Sequence, residues 1–159
     1  MQGTDNGFEP ESNMTRAMLV TILFRLEEST GIKSENTFTD VPENTWYTDA
    51  VIWAKECGIV TGVTETEFAP DDNITREQLV TVLFRYAKFK GCDTSDFESL
   101  DGFTDAAEIS VFAVDAFGWA YKNLLINGTS STLLSPKNTA TRAQVATILT
   151  RFCNEVYAK

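Results

Sequence analysis

Hydrophobic residues recur at helical spacing in three stretches of the chain, and each stretch has the same polar start. In the second stretch, Leu79, Val80, Val82, Leu83 and Tyr86 fall on one face of an α-helix. The other two stretches repeat this spacing, at Leu19, Val20, Ile22, Leu23 and Leu26 and at Val145, Ala146, Ile148, Leu149 and Phe152. The pattern predicts three amphipathic helices of one type, which we call the main helices.

A threonine precedes each main helix, and the three threonines mark an internal repeat. Thr15, Thr75 and Thr141 lie 60 and then 66 residues apart. A threonine hydroxyl at this position accepts a hydrogen bond from an unpaired N–H group of the first turn. Gln78 and Gln144 stand where a reciprocal capping box places its amide, whereas Met18 cannot take that role. A self-similar period of this size is typical of a repeat protein.

A second, shorter type of helix precedes the later two main helices. Residues 46–57 place Trp46, Ala50, Val51, Ala54 and Cys57 on one helical face, and Gly58 follows as a left-handed stop. In the third copy Trp119 aligns with Trp53, so both tryptophans are expected in the core. Phe112 aligns with Trp46, and Leu124 stands where the second copy has Gly58.

The pattern also sets approximate bounds. Main helices are predicted from Thr15 to about Ser29, where Gly31 ends the first one, from Thr75 to about Lys88, and from Thr141 to about Tyr157. Residues 90–102 are predicted to form an acidic linker with turn-forming residues. The first copy lacks its front half, so either the sequence was cut there or another chain fills that place.

An arginine follows each cap threonine, although a cation in the first turn opposes the helix dipole and typically costs about 0.3–1 kcal/mol. Acidic residues near Arg16 and Arg76 offset this cost, but the stretch around Arg142 contains none. Two explanations stay open. Each arginine pairs with a carboxylate across a repeat interface, or it joins the free N–H groups of the helix start in binding an external anion.

Charge and composition limit the partners. The net charge of −10 and the pI of about 4.4 argue against nucleic acid and against an anionic membrane surface. They do not exclude a small anionic ligand, because a recessed arginine acts locally and distant charges are screened beyond about 8–10 Å. The sequence has no apolar run long enough to span a bilayer and no signal-peptide pattern, so membrane insertion is not predicted.

Catalytic and metal-binding residue patterns are missing from the sequence. The chain has no histidine, which excludes Ser/His and Cys/His catalysis and imidazole metal ligands. Cys57, Cys92 and Cys153 lack metal-site spacing, and Cys57 and Cys153 are expected to be core thiols rather than a disulfide pair. We therefore predict no enzyme activity, no cofactor and no metal site.

The order of motifs within one repeat resembles the S-layer homology domain family. The second copy carries Phe38-Thr39-Asp40-Val41, then Trp46-Tyr47, then Gly58 to Gly62, then Phe68-Ala69-Pro70, and finally Ile74-Thr75-Arg76-Glu77-Gln78. The last five residues resemble the family signature Ile-Thr-Arg-Ala-Glu. The resemblance covers a partial first repeat at 1–30, a second at 31–90 and a third at 91–159, together forming one compact module.

The resemblance implies an all-α module in which three repeats of paired helices pack around a pseudo-threefold axis. It also implies a non-catalytic, extracellular role: anchoring to the cell wall of a Gram-positive bacterium by binding a secondary cell-wall polysaccharide, commonly a pyruvylated one, in grooves between repeats. The family's ligand contact carries over to the signature arginines Arg16, Arg76 and Arg142.

Other candidate ligand-binding residues each have a structural alternative. Gly62 and Gly128 let the backbone approach a sugar or simply form a turn. Asp40 and Asp105 accept sugar hydroxyls or cap the segment that follows them. Trp46 stacks on a pyranose ring or lies in the core.

A second function remains open, that of a protein–protein or self-assembly module. The missing short helix of the first repeat would leave an apolar groove for a partner chain, which makes a homo-oligomer the alternative hypothesis.

Overall fold

The computed structural model describes residues 7–28 and 34–157, and it contains five α-helices there. Helices α1, α3 and α5 are the main helices, at Arg16–Leu26, Arg76–Phe89 and Arg142–Phe152, and α2 and α4 are the short ones, at Thr48–Glu56 and Val114–Lys122. Single 3₁₀ turns lie at Ala106–Glu108 and Val111–Ala113, and a π-helical turn follows at Cys153–Tyr157. The described residues form isolated bridges but no strand, so the predicted all-α class is confirmed.

The predicted helix starts are confirmed. Thr15, Thr75 and Thr141 are the N-caps, and the two capping boxes form with Gln78 and Gln144. The first helix ends at Leu26, earlier than expected, and the predicted stop at Ser29 and Gly31 lies outside the described residues.

The predicted short helix at 46–57 is two residues too long at its start and one at its end. The hydroxyl of Thr48 donates to the carbonyl of Pro42 at 2.7 Å and accepts from the N–H of Thr45 at 2.9 Å. These local bonds hold the preceding residues in a turn, so α2 begins at Thr48. Gly58 follows the helix with φ +70°, as the left-handed stop requires.

Three main-chain hydrogen bonds close a ring where the main helices begin. The N–H of Ile74 donates to the carbonyl of Met14 at 2.8 Å, that of Ala140 to Ile74 at 3.0 Å, and that of Met14 to Ala140 at 2.9 Å. These residues occupy the same position in their repeats, directly before the cap threonine, and all are at most 1% exposed. This ring of hydrogen bonds lies at the centre of the pseudo-threefold arrangement of the three repeats.

The first N–H groups of every main helix find their acceptors in the next repeat. Arg16 and Ala17 donate to the carbonyls of Asp72 and Pro70 at 3.0 Å. The same pair of bonds recurs from α3 to the segment before α5, and from α5 to the segment before α1. Each helix therefore has its orphan donors satisfied by a neighbouring repeat, and the last repeat closes onto the first.

A short lead-in segment before each main helix supplies those acceptors, and it bends at one residue. Glu9, Ala69 and Ser135 adopt φ of +48°, +57° and +52°, each just before a proline. The three copies share this unusual conformation, because the bend turns the following carbonyls toward the neighbouring helix.

Each of the first two main helices packs against the short helix of the following repeat. Phe24 of α1 contacts Trp53 of α2 at 5.6 Å between ring centroids, and Phe84 of α3 contacts Trp119 of α4 at 5.4 Å. The two tryptophans are 5% and 0% exposed, which confirms their predicted core positions. The three cysteines are free, half-buried thiols packed against the core.

The corresponding position in α5 is Thr150, which is exposed. Within the described ranges, every helix is too short or too polar to cross a bilayer.

Leu124 adopts a conformation that leucine disfavours. It follows α4 with φ +56°, as Gly58 follows α2 with φ +70°, and its side chain is 67% exposed. The left-handed region costs a non-glycine residue roughly 1–2 kcal/mol. Glycine avoids this cost, but it makes the unfolded chain more flexible, which lowers the free energy of unfolding by about 0.4–1 kcal/mol.

Replacing Leu124 with glycine is therefore expected to raise the free energy of unfolding by about 0.5–1 kcal/mol. Urea denaturation followed by circular dichroism measures the change, and Gly58→Leu is the matched reverse variant, which should destabilise. A Leu124→Gly protein less stable than the original chain would contradict this view of the turn.

Candidate functional site

The three signature arginines point away from their own helices and bind the main chain of the next repeat. The Nε–H of Arg16 donates to the carbonyl of Phe68 at 2.8 Å, and that of Arg76 to Leu134 at 2.8 Å. Arg142 makes the same bond to Phe8 at 2.9 Å, which completes the cycle. A backbone carbonyl, rather than a carboxylate of the same helix, thus holds each cation in place.

Aromatic faces add to this setting in two of the three copies. The guanidinium of Arg16 lies 4.7 Å from the ring centroid of Phe68, and that of Arg142 lies 5.1 Å from Phe8. The cation is attracted by the negative face of the ring. The ring of Phe8 and its carbonyl thus both contact Arg142, the signature arginine with no acidic residue near it in sequence.

Burial affects the charge of these groups. Loss of solvent lowers the pKa of Arg16 and of Arg76; the negative charges of Asp72 and Asp40 partly oppose the effect at Arg16, and that of Asp105 opposes it at Arg76. Neither arginine forms an ion pair with a described residue. Since arginine stays protonated in proteins, Arg16 and Arg76 are two partly desolvated cations, and no carboxylate in the described part of the chain bonds to them directly.

The expected free N–H groups at the helix starts are not available. In α1 the N–H groups of Arg16 and Ala17 donate to the next repeat, and that of Met18 donates to the hydroxyl of Thr15 at 3.3 Å. The first-turn donors of α3 and α5 are used in the same way. That part of the anion-site prediction was wrong, because closing the ring of repeats occupies the donors. An anion beside a signature arginine is therefore not held by the N–H groups of the helix start.

A groove of about 410 Å³ opens beside Arg16, between the first and second repeats. Its walls come from the turn after α2, including Thr61 and Gly62, and from the side of α3. A second groove, of about 190 Å³, lies beside Arg76 between the second and third repeats. Its lining residues Asn127, Gly128 and the side of α5 occupy the equivalent positions.

Each groove contains a second arginine that the sequence reasoning missed. Arg85 lines the Arg16 groove and Arg151 lines the Arg76 groove. Arg85 makes one long contact, from Nη1 to the hydroxyl of Thr61 at 3.5 Å, and Arg151 one from Nη1 to the carbonyl of Leu125 at 3.4 Å. Burial lowers the pKa of Arg85. Arg85 and Arg151 each follow a signature arginine by nine residues, and this repeated spacing is the sequence signal that could have identified them.

Asp40 and Asp105 are occupied within their own repeats. The carboxylate of Asp40 accepts from the N–H groups of Phe68 and Ala69 at 2.8 and 2.6 Å. Asp105 accepts from Leu134 at 2.8 Å and Ser135 at 2.7 Å. These bonds fix the bent lead-in, including the carbonyl that binds the arginine. The aspartates therefore hold the arginine's acceptor in place without lining the grooves themselves.

Gly62 and Gly128 lie in the grooves, and their own turns also require glycine. A Cβ on Gly62 would lie 2.1 Å from the carbonyl oxygen of Thr64, and one on Gly128 would lie 2.3 Å from that of Ser130. Neither glycine has a positive φ, so the requirement is steric.

Two aligned aromatic residues, Trp46 and Phe112, lie outside the core and are exposed to solvent. Trp46 is 56% exposed and meets Tyr47 edge to face at 5.0 Å. It does not line either of the two grooves, whereas Phe112 of the third repeat lines the Arg16 groove.

Comparison with known proteins agrees with this architecture. The sequence profile of the S-layer homology domain matches residues 37–80 and 102–146. The chain is 34% identical over 145 residues to an endoglucanase of Bacillus sp. (strain KSM-635), covering 89% of the chain and 15% of that protein. It is 31% identical over 162 residues to the surface-layer 125 kDa protein of Lysinibacillus sphaericus, covering 99% of the chain and 13% of that protein.

A third relative is a cellulosome-anchoring protein of Acetivibrio thermocellus, 33% identical over 88 residues, covering 53% of the chain and 20% of that protein. The chain thus spans only a small part of each of these relatives, including the enzyme. The profile match and the surface-layer and cellulosome-anchoring relatives support an extracellular anchoring module of the cell surface. The chain belongs to the S-layer homology domain family.

The bonds to Asp105 predict a dependence of stability on pH. Burial raises the pKa of this buried carboxyl, but the N–H groups of Leu134 and Ser135 and the charge of Arg76 outweigh that effect and leave the pKa below its usual value. A depressed folded-state pKa contributes stability above the unfolded value of about 3.9, and this contribution is lost as the pH falls through the folded value.

Asp105→Asn is therefore expected to lower the free energy of unfolding most at neutral pH, and the difference from the original chain should shrink below about pH 4. Urea denaturation at several pH values measures it, with the exposed Asp101→Asn as control. A difference that stays constant from pH 7 to pH 3 would rule out the ionised carboxylate as its cause.

Proposed function

We propose that this module binds an anionic, pyruvylated cell-wall polysaccharide in the grooves between its repeats and carries out no catalysis. The proposal rests on one observation: two equivalent grooves each contain a pair of arginines that form no ion pair with a described residue. The chain as a whole carries a net charge of −10, so positive charge concentrated in two places favours local recognition of a small anion.

A pyruvate ketal fits this chemistry. It places one compact carboxylate on an otherwise neutral sugar, and a planar guanidinium can bind both oxygens of a carboxylate at once. In the Arg16 groove, the Nε–H is already bonded to Phe68, which fixes the orientation of the guanidinium before a ligand arrives. A preorganised cation loses little side-chain entropy on binding.

The roles of the candidate residues follow from their places. Arg16 and Arg76, with Arg85 and Arg151, would hold the carboxylate. Gly62 and Gly128 would let the turn approach the sugar, while Asp40 and Asp105 would act indirectly by holding the lead-in. Arg142, with Trp46 in the turn before α2, would serve a third groove by the same symmetry.

The repeated grooves suit a repeated ligand. A hydrogen bond to a charged group contributes roughly 1.5–3 kcal/mol, so a single groove would bind modestly. When a polymer binds in two or more grooves, its overall affinity gains from effective concentration by about 10²–10⁴-fold.

The test is a sedimentation assay with purified Gram-positive cell walls. The double variant Arg85→Ala/Arg151→Ala suits it better than removal of the signature arginines, because those also hold the fold together. We expect the double variant to lose at least about tenfold in apparent affinity, which corresponds to about one charged hydrogen bond. Walls stripped of their polysaccharide should also stop pelleting the original protein.

The control is Lys88→Ala/Lys122→Ala, which removes the same number of positive charges away from the grooves. It should pellet like the original chain. Undiminished pelleting of the arginine variant on intact walls, with both proteins folded, would remove the proposed mechanism.

A further inference from the structure

Phe112 stands apart from the other exposed aromatic residues. Five aromatic side chains in the described residues are at least 41% exposed: Phe8, Trp46, Phe89, Phe97 and Phe112. The first four each contact another ring or a cation. Phe112 is 54% exposed, makes no such contact, and lines the Arg16 groove. An exposed ring without a partner beside two arginines indicates a binding surface.

The position of Phe112 is fixed by residues specific to this part of the chain. The carboxylate of Glu77, 5% exposed, accepts from the N–H and the hydroxyl of Ser110 at 3.0 and 3.2 Å, and from Nζ of Lys137 at 2.7 Å. The turn then closes from Ala113 to Ser110 at 2.8 Å, and Ala113 is fully buried.

Glu77 has no counterpart in the other repeats. The equivalent positions are Ala17 and Ala143. The buried carboxylate of Glu77 is therefore particular to this repeat, and it fastens the turn that carries Phe112 against the start of α3.

The Arg76 groove lacks such a wall. Its lining residues in the described part of the chain include no aromatic side chain, and its volume is about 190 Å³ against about 410 Å³ for the Arg16 groove. The two grooves thus share their cations and differ in their apolar surface.

We propose that Phe112 forms a stacking platform for the pyranose ring of a ligand whose acid group is held by Arg16 and Arg85, with Glu77 as the positioning residue. The inference rests on the proposed function and adds that the Arg16 groove is the tighter of the two. One face of a pyranose presents C–H groups, whose partial positive charge matches the negative face of the phenyl ring. The groove would then recognise a sugar and its acid together.

The experiment is an NMR titration of the whole chain with two probes: a methyl hexopyranoside carrying a pyruvate ketal, and pyruvate alone. The backbone amide of Gly62 reports on the Arg16 groove, and that of Gly128 reports on the Arg76 groove. Phe112→Ala should weaken the glycoside response at Gly62 about fivefold, in line with known aromatic contact energies. The glycoside response at Gly128, and the pyruvate response at both amides, should stay unchanged.

Three further variants separate stacking from bulk and from structure. Phe112→Trp should keep the glycoside affinity, whereas Phe112→Leu should lose it. Glu77→Ala should weaken the glycoside response at Gly62 while leaving pyruvate unaffected, a difference that general destabilisation would not produce. Val111→Ala, next to Phe112 and outside the groove, is the matched control.

The outcomes distinguish the two proposals. A glycoside response at Gly62 that is unchanged in Phe112→Ala and Phe112→Leu would overturn the stacking proposal and leave the proposed function intact. Equal weakening at Gly62 and Gly128 would overturn it as well. No response of the original chain to either probe would contradict the proposed function itself, and the platform with it.

Discussion

The constraint on which this structure depends is the need to satisfy the first N–H groups of three helices that meet near one axis. Buried helix starts cannot leave these donors unpaired, since each unpaired group costs about 1–3 kcal/mol. The chain meets this need between repeats, because the donors of each main helix bond to carbonyls of the next lead-in. One repeat alone would leave its helix start open, so the repeats stabilise one another in a cycle.

The same cycle places the candidate site. The bend in each lead-in presents a carbonyl to the neighbouring arginine, and an aspartate fixes that bend from behind in the later two repeats. Arg16 and Arg76 are therefore inter-repeat contacts, through Nε and through Nη2 to the carbonyls of Thr61 and Asn127, and they also line the grooves. This dual role explains how a cation persists at the end of a helix that electrostatically favours an anion. It also puts each groove at a junction between repeats.

Much of the fold could be read from the sequence, because helical periodicity, threonine caps and the glycine stop are local signals. The closure of the ring could not, since its bonds join residues about 60 or more positions apart. The free helix donors were wrongly expected for that reason. Arg85 and Arg151 were overlooked because a polar residue on an amphipathic helix normally faces solvent. The alignment of Phe112 with Trp46 did not indicate a groove residue, and only the packing placed Phe112 in a groove.

The most direct measurement of the central claim is a crystal structure of the chain bound to a methyl hexopyranoside that carries a pyruvate ketal. We expect the ketal carboxylate to lie within hydrogen-bond distance of both Arg16 and Arg85, and in the second groove of both Arg76 and Arg151. A ligand bound with its carboxylate away from every one of these guanidinium groups would contradict the proposed binding mode.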